Sequence, residues 1–329
     1  MELWEIADLA TPWALHVAAT LRVAGHIAAG TTDIGSLAKA CQCDADALSR
    51  VLRHLVEKGV FESPARGQFA LNDIARKLLD EGQRAGLDLN GMGGRMANAF
   101  STLLTAVRTG RPAYHELFGR SFWDDLEAHP TIAEGFDIMM GPGHGIPDPE
   151  VLLNPADWAN VRTVVDVGGG TGSLLAAILR ARPEVRGILV DLPRPIAGSA
   201  EVFQAAGVSD RASTSAQSFF DPLPARADLY VMKSVLADWP DREALAILTR
   251  CAEAARPSGR VVVFTATDPD KESDPELLML VLVGGKGRSL TEFTELASRA
   301  GLKVVAAGRQ PTSGKGIVEC RPVETAAPV

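Results

Sequence analysis

The 329-residue chain has little cysteine, few aromatic side chains and no excess of positive charge. Its four cysteines, Cys41, Cys43, Cys251 and Cys320, lack the spacing of a zinc site. Cys41-Gln42-Cys43 is too tight for a C-x2-C knuckle. They read as free thiols of a reducing compartment, so no disulfide framework is expected. No cluster of His, Asp and Glu has convincing ligand spacing, so no metal is expected. The formal net charge is −8. That balance argues against nucleic acid or an anionic membrane as a partner, since both favour a basic surface. No apolar run approaches the ~18 residues of a membrane span. The first residues include Glu2, Glu5 and Asp8 rather than a basic segment followed by an apolar one, which is not a signal-peptide pattern. The expectation is a cytoplasmic protein.

What is present is material for real cores. Hydrophobic residues make up 46% of the chain and charged residues 22%, as in ordinary globular domains. The first half reads as helical. Residues 3–29 are rich in Ala and Leu at helical spacing. Thr32-Asp33 can cap a helix over 34–40, and Asp44 one over 45–58 that ends at Gly59. Residues 60–63 and 68–71, either side of a Pro64-to-Gly67 turn, read as a two-stranded wing, and Asn72 starts another helix. Helix, helix and wing form a winged-helix pattern. Its second helix carries Arg50, Arg53, His54 and Lys58, but also Asp44, Asp46 and Glu57. A packing or dimer-forming module is the better reading, because the flanking segments 3–29 and 90–107 are too apolar to stand alone. Residues 113–145 concentrate Tyr114, His115, Phe118, Phe122, Trp123, Phe136, Met139, Met140 and His144. They read either as a hydrophobic joint or as one wall of a pocket for a flat aromatic ligand. Gly141-Pro142-Gly143 breaks the helix.

From about Asn160 strands and helices alternate, as in an α/β domain with a largely parallel sheet. Strand-like runs cover 163–167, 187–190, 229–232, 260–265, 303–307 and 316–320. Helical runs cover 174–181, 195–206, 241–255 and 290–300. The expected division is a helical winged-helix module over 1–110, a helical linker over 111–150 and an α/β domain over 151–329.

The most telling stretch is Val164–Ser173: an apolar strand, a glycine-rich turn and a helix start. Its glycines, Gly168, Gly170 and Gly172, follow G-x-G-x-G, whereas a dinucleotide fingerprint needs G-x-G-x-x-G. Asp166 lies two residues before the first glycine. A carboxylate there suits a cationic sulfonium ligand with a free ammonium group and disfavours a pyrophosphate. Asp191, ending the next apolar run, can accept hydrogen bonds from ribose hydroxyls.

With these features the chain resembles the class I S-adenosylmethionine-dependent O-methyltransferases. Within them it is similar to the subgroup with an N-terminal winged-helix dimerisation domain, which includes plant phenolic and bacterial polyketide-tailoring enzymes. The motifs that carry the resemblance are Val164–Gly172, Ile188–Pro193, Ser218–Pro224, Lys233–Trp239 and Met279–Lys286. The resemblance implies a Rossmann-like cofactor domain, a homodimer and a small hydroxylated aromatic substrate. It implies that the Gly168 region approaches the methionine part of S-adenosylmethionine and that Asp191 and Leu192 hold the ribose and the adenine edge. Ser218 and Phe219 would lie beside the adenine, with Lys233 and Ser234 near the adenosine or methionine part. Ser218 stands where the family commonly has Asp, which alters one adenine contact. Phe136, Met139, Met140, Trp239 and Met279 are the expected acceptor-pocket residues.

The family's usual base is a His directly before an Asp-Trp pair. Here the chain reads Leu236-Ala237-Asp238-Trp239, and Ala237 cannot move a proton. After Gly284-Gly285-Lys286 the family has Glu-Arg-Thr, whose Glu orients the base; this chain has Gly287-Arg288-Ser289. Four accounts stay open. The acceptor hydroxyl ionises without help, and positioning drives methylation. The nucleophile is instead nitrogen or activated carbon. Another residue serves, with Asp238 and His144 the first candidates and His115 and Tyr114 behind them. Or bound cofactor shapes a pocket for decarboxylation, hydroxylation or rearrangement. Asp238 also reads as a cap for the next helix, and Arg288 as a substrate-anion site or a surface group. A non-enzymatic winged-helix regulator is the remaining alternative.

Overall fold

The computed structural model describes residues 3–140, 148–265, 276–310, 314 and 316–323. Two compact units emerge. One runs to Thr102 and resumes at His115; the other joins Leu103–Tyr114 to the remainder of the chain.

In the first unit the Ala- and Leu-rich start is not one helix but three, Leu3–Ile6, Ala10–Thr20 and Val23–Ala28. The breaks have local causes. Asp8 Oδ1 accepts from the backbone N–H groups of Ala10 at 2.9 Å and Thr11 at 3.1 Å, which starts a new helix. Arg22 takes a left-handed φ of 53°. Neither break carries a Gly or Pro signal. The expected caps form: Asp33 accepts from Ser36 N–H ahead of helix Ile34–Ala40, and Asp44 from Ala47 N–H ahead of helix Ala45–Glu57. Strands β1 (Phe61–Glu62) and β2 (Ala70–Leu71) pair antiparallel as the wing. Asn72 accepts from Ile74 and Ala75 N–H and opens the next helix. Leu37, Leu52, Leu55, Phe61 and Phe69 are buried in one core. Each such side chain contributes about 1.5–3 kcal/mol. Basic groups of the second helix are engaged within the module. Arg50 pairs with Asp46 at 2.5 Å, His54 Nε2 lies 2.8 Å from Thr11 Oγ1, and Lys58 meets Asp8 at 2.8 Å.

The second unit is built on a seven-stranded sheet. Its strands are β3 (Thr163–Val167), β4 (Arg186–Asp191), β5 (Ala212–Ala216), β6 (Leu229–Lys233), β7 (Arg260–Thr265), β8 (Leu302–Arg309) and β9 (Gly316–Pro322). Their order is β5-β4-β3-β6-β7-β9-β8. The first five run parallel, and β9 is antiparallel to both β7 and β8. Six strands match the sequence reading. The seventh, β5, reads Ala-Ser-Thr-Ser-Ala and is mostly unburied, so no apolar pattern announces it. Helices cover both faces. Val165 and Val167 point to helices Asp241–Ala255 and Leu290–Arg299, while Val164 faces helices Ser173–Ala181 and Ser199–Ala206. Strand periodicity therefore puts Asp166 on the Val164 face. Among the described residues, no helix is long and apolar enough to cross a membrane.

Candidate functional site

Strand order reverses between β3 and β6, and ligands of open α/β sheets bind outside the strand carboxyl ends at such a point. The glycine turn leaves β3 there. Gly168, Gly170 and Gly172 take φ values of 69°, 62° and 82°, a region other residues enter at a cost of about 1–2 kcal/mol each. Gly170 N–H donates to Asp191 Oδ2 at 2.7 Å, and Leu192 N–H donates to Oδ1 at 2.7 Å. Asp191 therefore ties the turn to the end of β4. Leu192 is exposed beside it. Phe219 packs toward Gly168: a Cβ built there would lie 3.4 Å from the Phe219 ring. Ser218 Oγ accepts from Phe220 N–H at 3.2 Å, which orients this segment.

Asp166 is 1% exposed, and its Oδ2 has no hydrogen-bond partner among the described residues. Burial first, and then the charge of Asp191, push its carboxyl up to about 7. A contact with Leu175 N–H and the charge of Lys233 pull the other way. The pressing neighbour is Gly169, where a Cβ would lie 2.5 Å from the Asp166 carboxyl. A buried carboxyl with one unpartnered oxygen beside a half-buried glycine turn suits a cation. The ammonium of S-adenosylmethionine would supply the missing partner, and the ribose would meet Asp191, so the residues present fit this cofactor. A pyrophosphate would meet repulsion.

A cavity of about 550 Å³ opens at the carboxyl ends of β6 and β7. Its walls include Lys233, Ser234, Ala237, Asp238, Glu276 and Met279. Gly287 lines it too, so the two positions that lack the family's base and its orienting Glu face one space. Asp238 closes the short 3-10 turn Leu236–Asp238. Burial, then the charge of Glu276, push its carboxyl up to about 7. The Gly284-Gly285 turn sits directly on this segment. A Cβ on Gly285 would lie 2.1 Å from the Ala237 carbonyl oxygen, so only glycine allows the approach. Glu276, the residue before helix Leu277–Leu282, carried no sequence signal.

Other expected residues fall elsewhere. Trp239 packs edge-on against Phe219 and Phe220, at 5.8 and 5.0 Å between ring centroids. Phe136 joins Phe122 and Trp123 in an edge-to-face cluster of the first unit, at 5.9 and 6.0 Å. Met139 Cε lies 3.5 Å from where a Cβ on Gly86 would stand. His144 and the Met140 side chain lie outside the described residues. Tyr114 is buried and His115 is exposed. Arg288 is neither a surface group nor a free anion site. It is 6% exposed, and its guanidinium donates to Asp241 Oδ1 at 2.9 Å and to the carbonyls of Leu236 and Trp239 at 2.9 and 2.8 Å. It clamps the loop that carries Ala237 and Asp238. Asp238 does not cap the following helix, whose N-cap is Pro240 with no side-chain bond.

The chain matches two family models, the O-methyltransferase dimerisation domain over residues 4–81 and the O-methyltransferase domain over residues 100–303. It is 45% identical over 319 residues to the 2,7-dihydroxy-5-methyl-1-naphthoate 7-O-methyltransferase of Streptomyces carzinostaticus, covering 95% of each chain. It is 40% identical over 324 residues to the aclacinomycin 10-hydroxylase of Streptomyces purpurascens, covering 95% of this chain and 86% of that one. A solved O-methyltransferase from neocarzinostatin biosynthesis, in complex with S-adenosylmethionine and 2-hydroxy-5-methyl naphthoic acid, superposes with a TM-score of 0.89. That structure is 44% identical, and the match covers 98% of this chain and 99% of the other. Motifs, sheet topology, the orphaned Asp166 and these similarities agree: the chain belongs to the S-adenosylmethionine-dependent O-methyltransferase family.

Proposed function

We propose that this enzyme methylates a hydroxyl of a small aromatic, polyketide-like acceptor such as a hydroxynaphthoate, without the family's His base. The observation that carries this reading is that Ala237 and Gly287, where the family resemblance places a His base and its orienting Glu, line one cavity, beside the intact cofactor features at Asp166 and Asp191. When bound, S-adenosylmethionine supplies an electrophilic methyl group. Asp166 accepts the ammonium, Asp191 and Leu192 hold the nucleoside, and Phe219 packs beside it. Lys233 and Ser234 stand where the cofactor region meets the cavity. The cavity wall orients the acceptor and excludes water. Proximity and orientation can supply ~7–11 kcal/mol, whereas a general base is typically worth ~10²–10⁴ in rate. An acceptor hydroxyl already acidic, such as one beside a carboxylate or carbonyl, tolerates the missing base. Incubation with S-adenosylmethionine and 2,7-dihydroxy-5-methyl-1-naphthoate should yield a methyl ether and one S-adenosylhomocysteine per turnover. Tight cofactor binding with no S-adenosylhomocysteine formed from any hydroxyarene would overturn the proposal.

The similarity to an aclacinomycin 10-hydroxylase favours a second reading, in which bound cofactor shapes a pocket for a reaction other than methyl transfer. Oxygenated, unmethylated product would support it. In either case the protein works as a cytoplasmic homodimer formed through its N-terminal module.

A further inference from the structure

Asp238 is a buried carboxyl that the fold does not employ. The helix that follows is capped at Pro240 without it, and no hydrogen bond from the described residues holds its charge. It lines the cavity next to Ala237, and Glu276 lines the same cavity. Glu276 is held there in a left-handed conformation, φ 38°, at the start of helix Leu277–Leu282. Burial, and after it the charge of Glu276, push the Asp238 carboxyl up. Among the described residues, the other charged groups that line the cavity are Lys233 from β6, Lys286 and Arg288 from the turn after helix Leu277–Leu282, and Arg309 from β8. Arg288 is committed to Asp241 and to backbone carbonyls, and Lys286 to Asp241 and Glu292 at 3.3 and 3.4 Å. Gly285 presses on the Asp238 backbone, with a built Cβ 2.6 Å from its carbonyl carbon, so the main chain that carries the carboxyl is held closely.

We propose that Asp238 takes the proton of the acceptor hydroxyl, and that Glu276 is the positioning residue that keeps the Asp238 carboxylate basic enough to do so. The inference rests on the O-methylation reading and names the proton's destination. The acceptor O–H bond breaks to Asp238. The oxygen–methyl bond forms as the methyl–sulfur bond breaks, and that electron pair stays on sulfur. Asp238 then returns the proton to solvent.

The test is kcat/KM against pH with two acceptors of different acidity, 2,7-dihydroxy-5-methyl-1-naphthoate and 2-naphthol, on wild type, Asp238→Asn and Glu276→Gln. Wild type should show one acidic limb, rising through about pH 7, with the same midpoint for both acceptors. Asp238→Asn should abolish that limb and lower kcat by ~10²-fold with little change in KM. Glu276→Gln should move the limb to lower pH. Carbon-13 carboxyl resonances of the S-adenosylhomocysteine complex should include one that titrates near pH 7 and is missing from Asp238→Asn. Unchanged S-adenosylhomocysteine affinity would show that each variant is folded. A limb that follows the acceptor's own acidity in all three proteins, or no such resonance, overturns the inference while leaving methylation intact. If wild type forms no methyl ether, the O-methylation reading fails and the inference fails with it.

Discussion

At the scale of single residues, charge placement decides the chemistry. Asp166 is buried, short of one partner and shifted up to about 7. Its folded pKa lies above the ordinary carboxylate value, so the folded state holds the proton more tightly than the unfolded chain. Its contribution to stability is therefore full below pH ~4 and falls away as pH rises toward about 7, by as much as about 4 kcal/mol. Without cofactor, Asp166→Asn should flatten that part of the stability-versus-pH curve in urea titrations at pH 4–8. The same variant should weaken S-adenosylmethionine binding by at least ~10-fold by calorimetry, because a charge-assisted contact is lost. Asp166 was legible in the sequence, since its spacing from the glycines has chemical meaning by itself. Asp238 and Glu276 were not legible as a pair. They are 38 positions apart, and only the folded chain brings them to one cavity. Arg288 was misread for a related reason: its buried partners are carbonyl groups, and sequence does not show where carbonyls point.

At the scale of elements, strands and caps were mostly readable because their signals are local. Apolar runs bounded by Gly and Asp gave β3, β4, β6 and β7, and side chains at Asp33, Asp44 and Asn72 gave helix starts. The edge strand β5 was not readable, because pairing with β4 rather than burial holds it. Nor does any residue state that β9 inserts between β7 and β8. The loop 236–241 lines the cavity, and Arg288 stitches it. Arg288→Lys keeps the charge but cannot serve Asp241 and two carbonyls from one planar fork. It should lower stability by about 2–3 kcal/mol in urea titrations. It should also reduce kcat more than cofactor affinity, because the loop lines the acceptor cavity.

At the scale of the whole molecule, the exposed apolar surface near the start of the chain points to self-association. Leu3, Ile6, Leu9 and Trp13 are 71%, 65%, 79% and 42% exposed on the first helices. Apolar groups left this open are expected to be covered in solution, and the family's dimerisation domain, residues 4–81, includes Ile6, Leu9 and Trp13. Light scattering should report a dimer, and Leu9→Asp with Trp13→Glu should give a folded monomer. A wild-type monomer at micromolar concentration would contradict this. The central claim is that an O-methyltransferase site has given up its His and works on acceptors acidic enough to need little help. The most direct measurement is kcat/KM for a series of hydroxynaphthoates and naphthols of graded hydroxyl acidity, on wild type and Ala237→His. Wild-type rates should fall steeply as the hydroxyl becomes less acidic, and Ala237→His should restore the weakly acidic acceptors. Equal wild-type rates across the series, with no gain from the restored His, would contradict the claim.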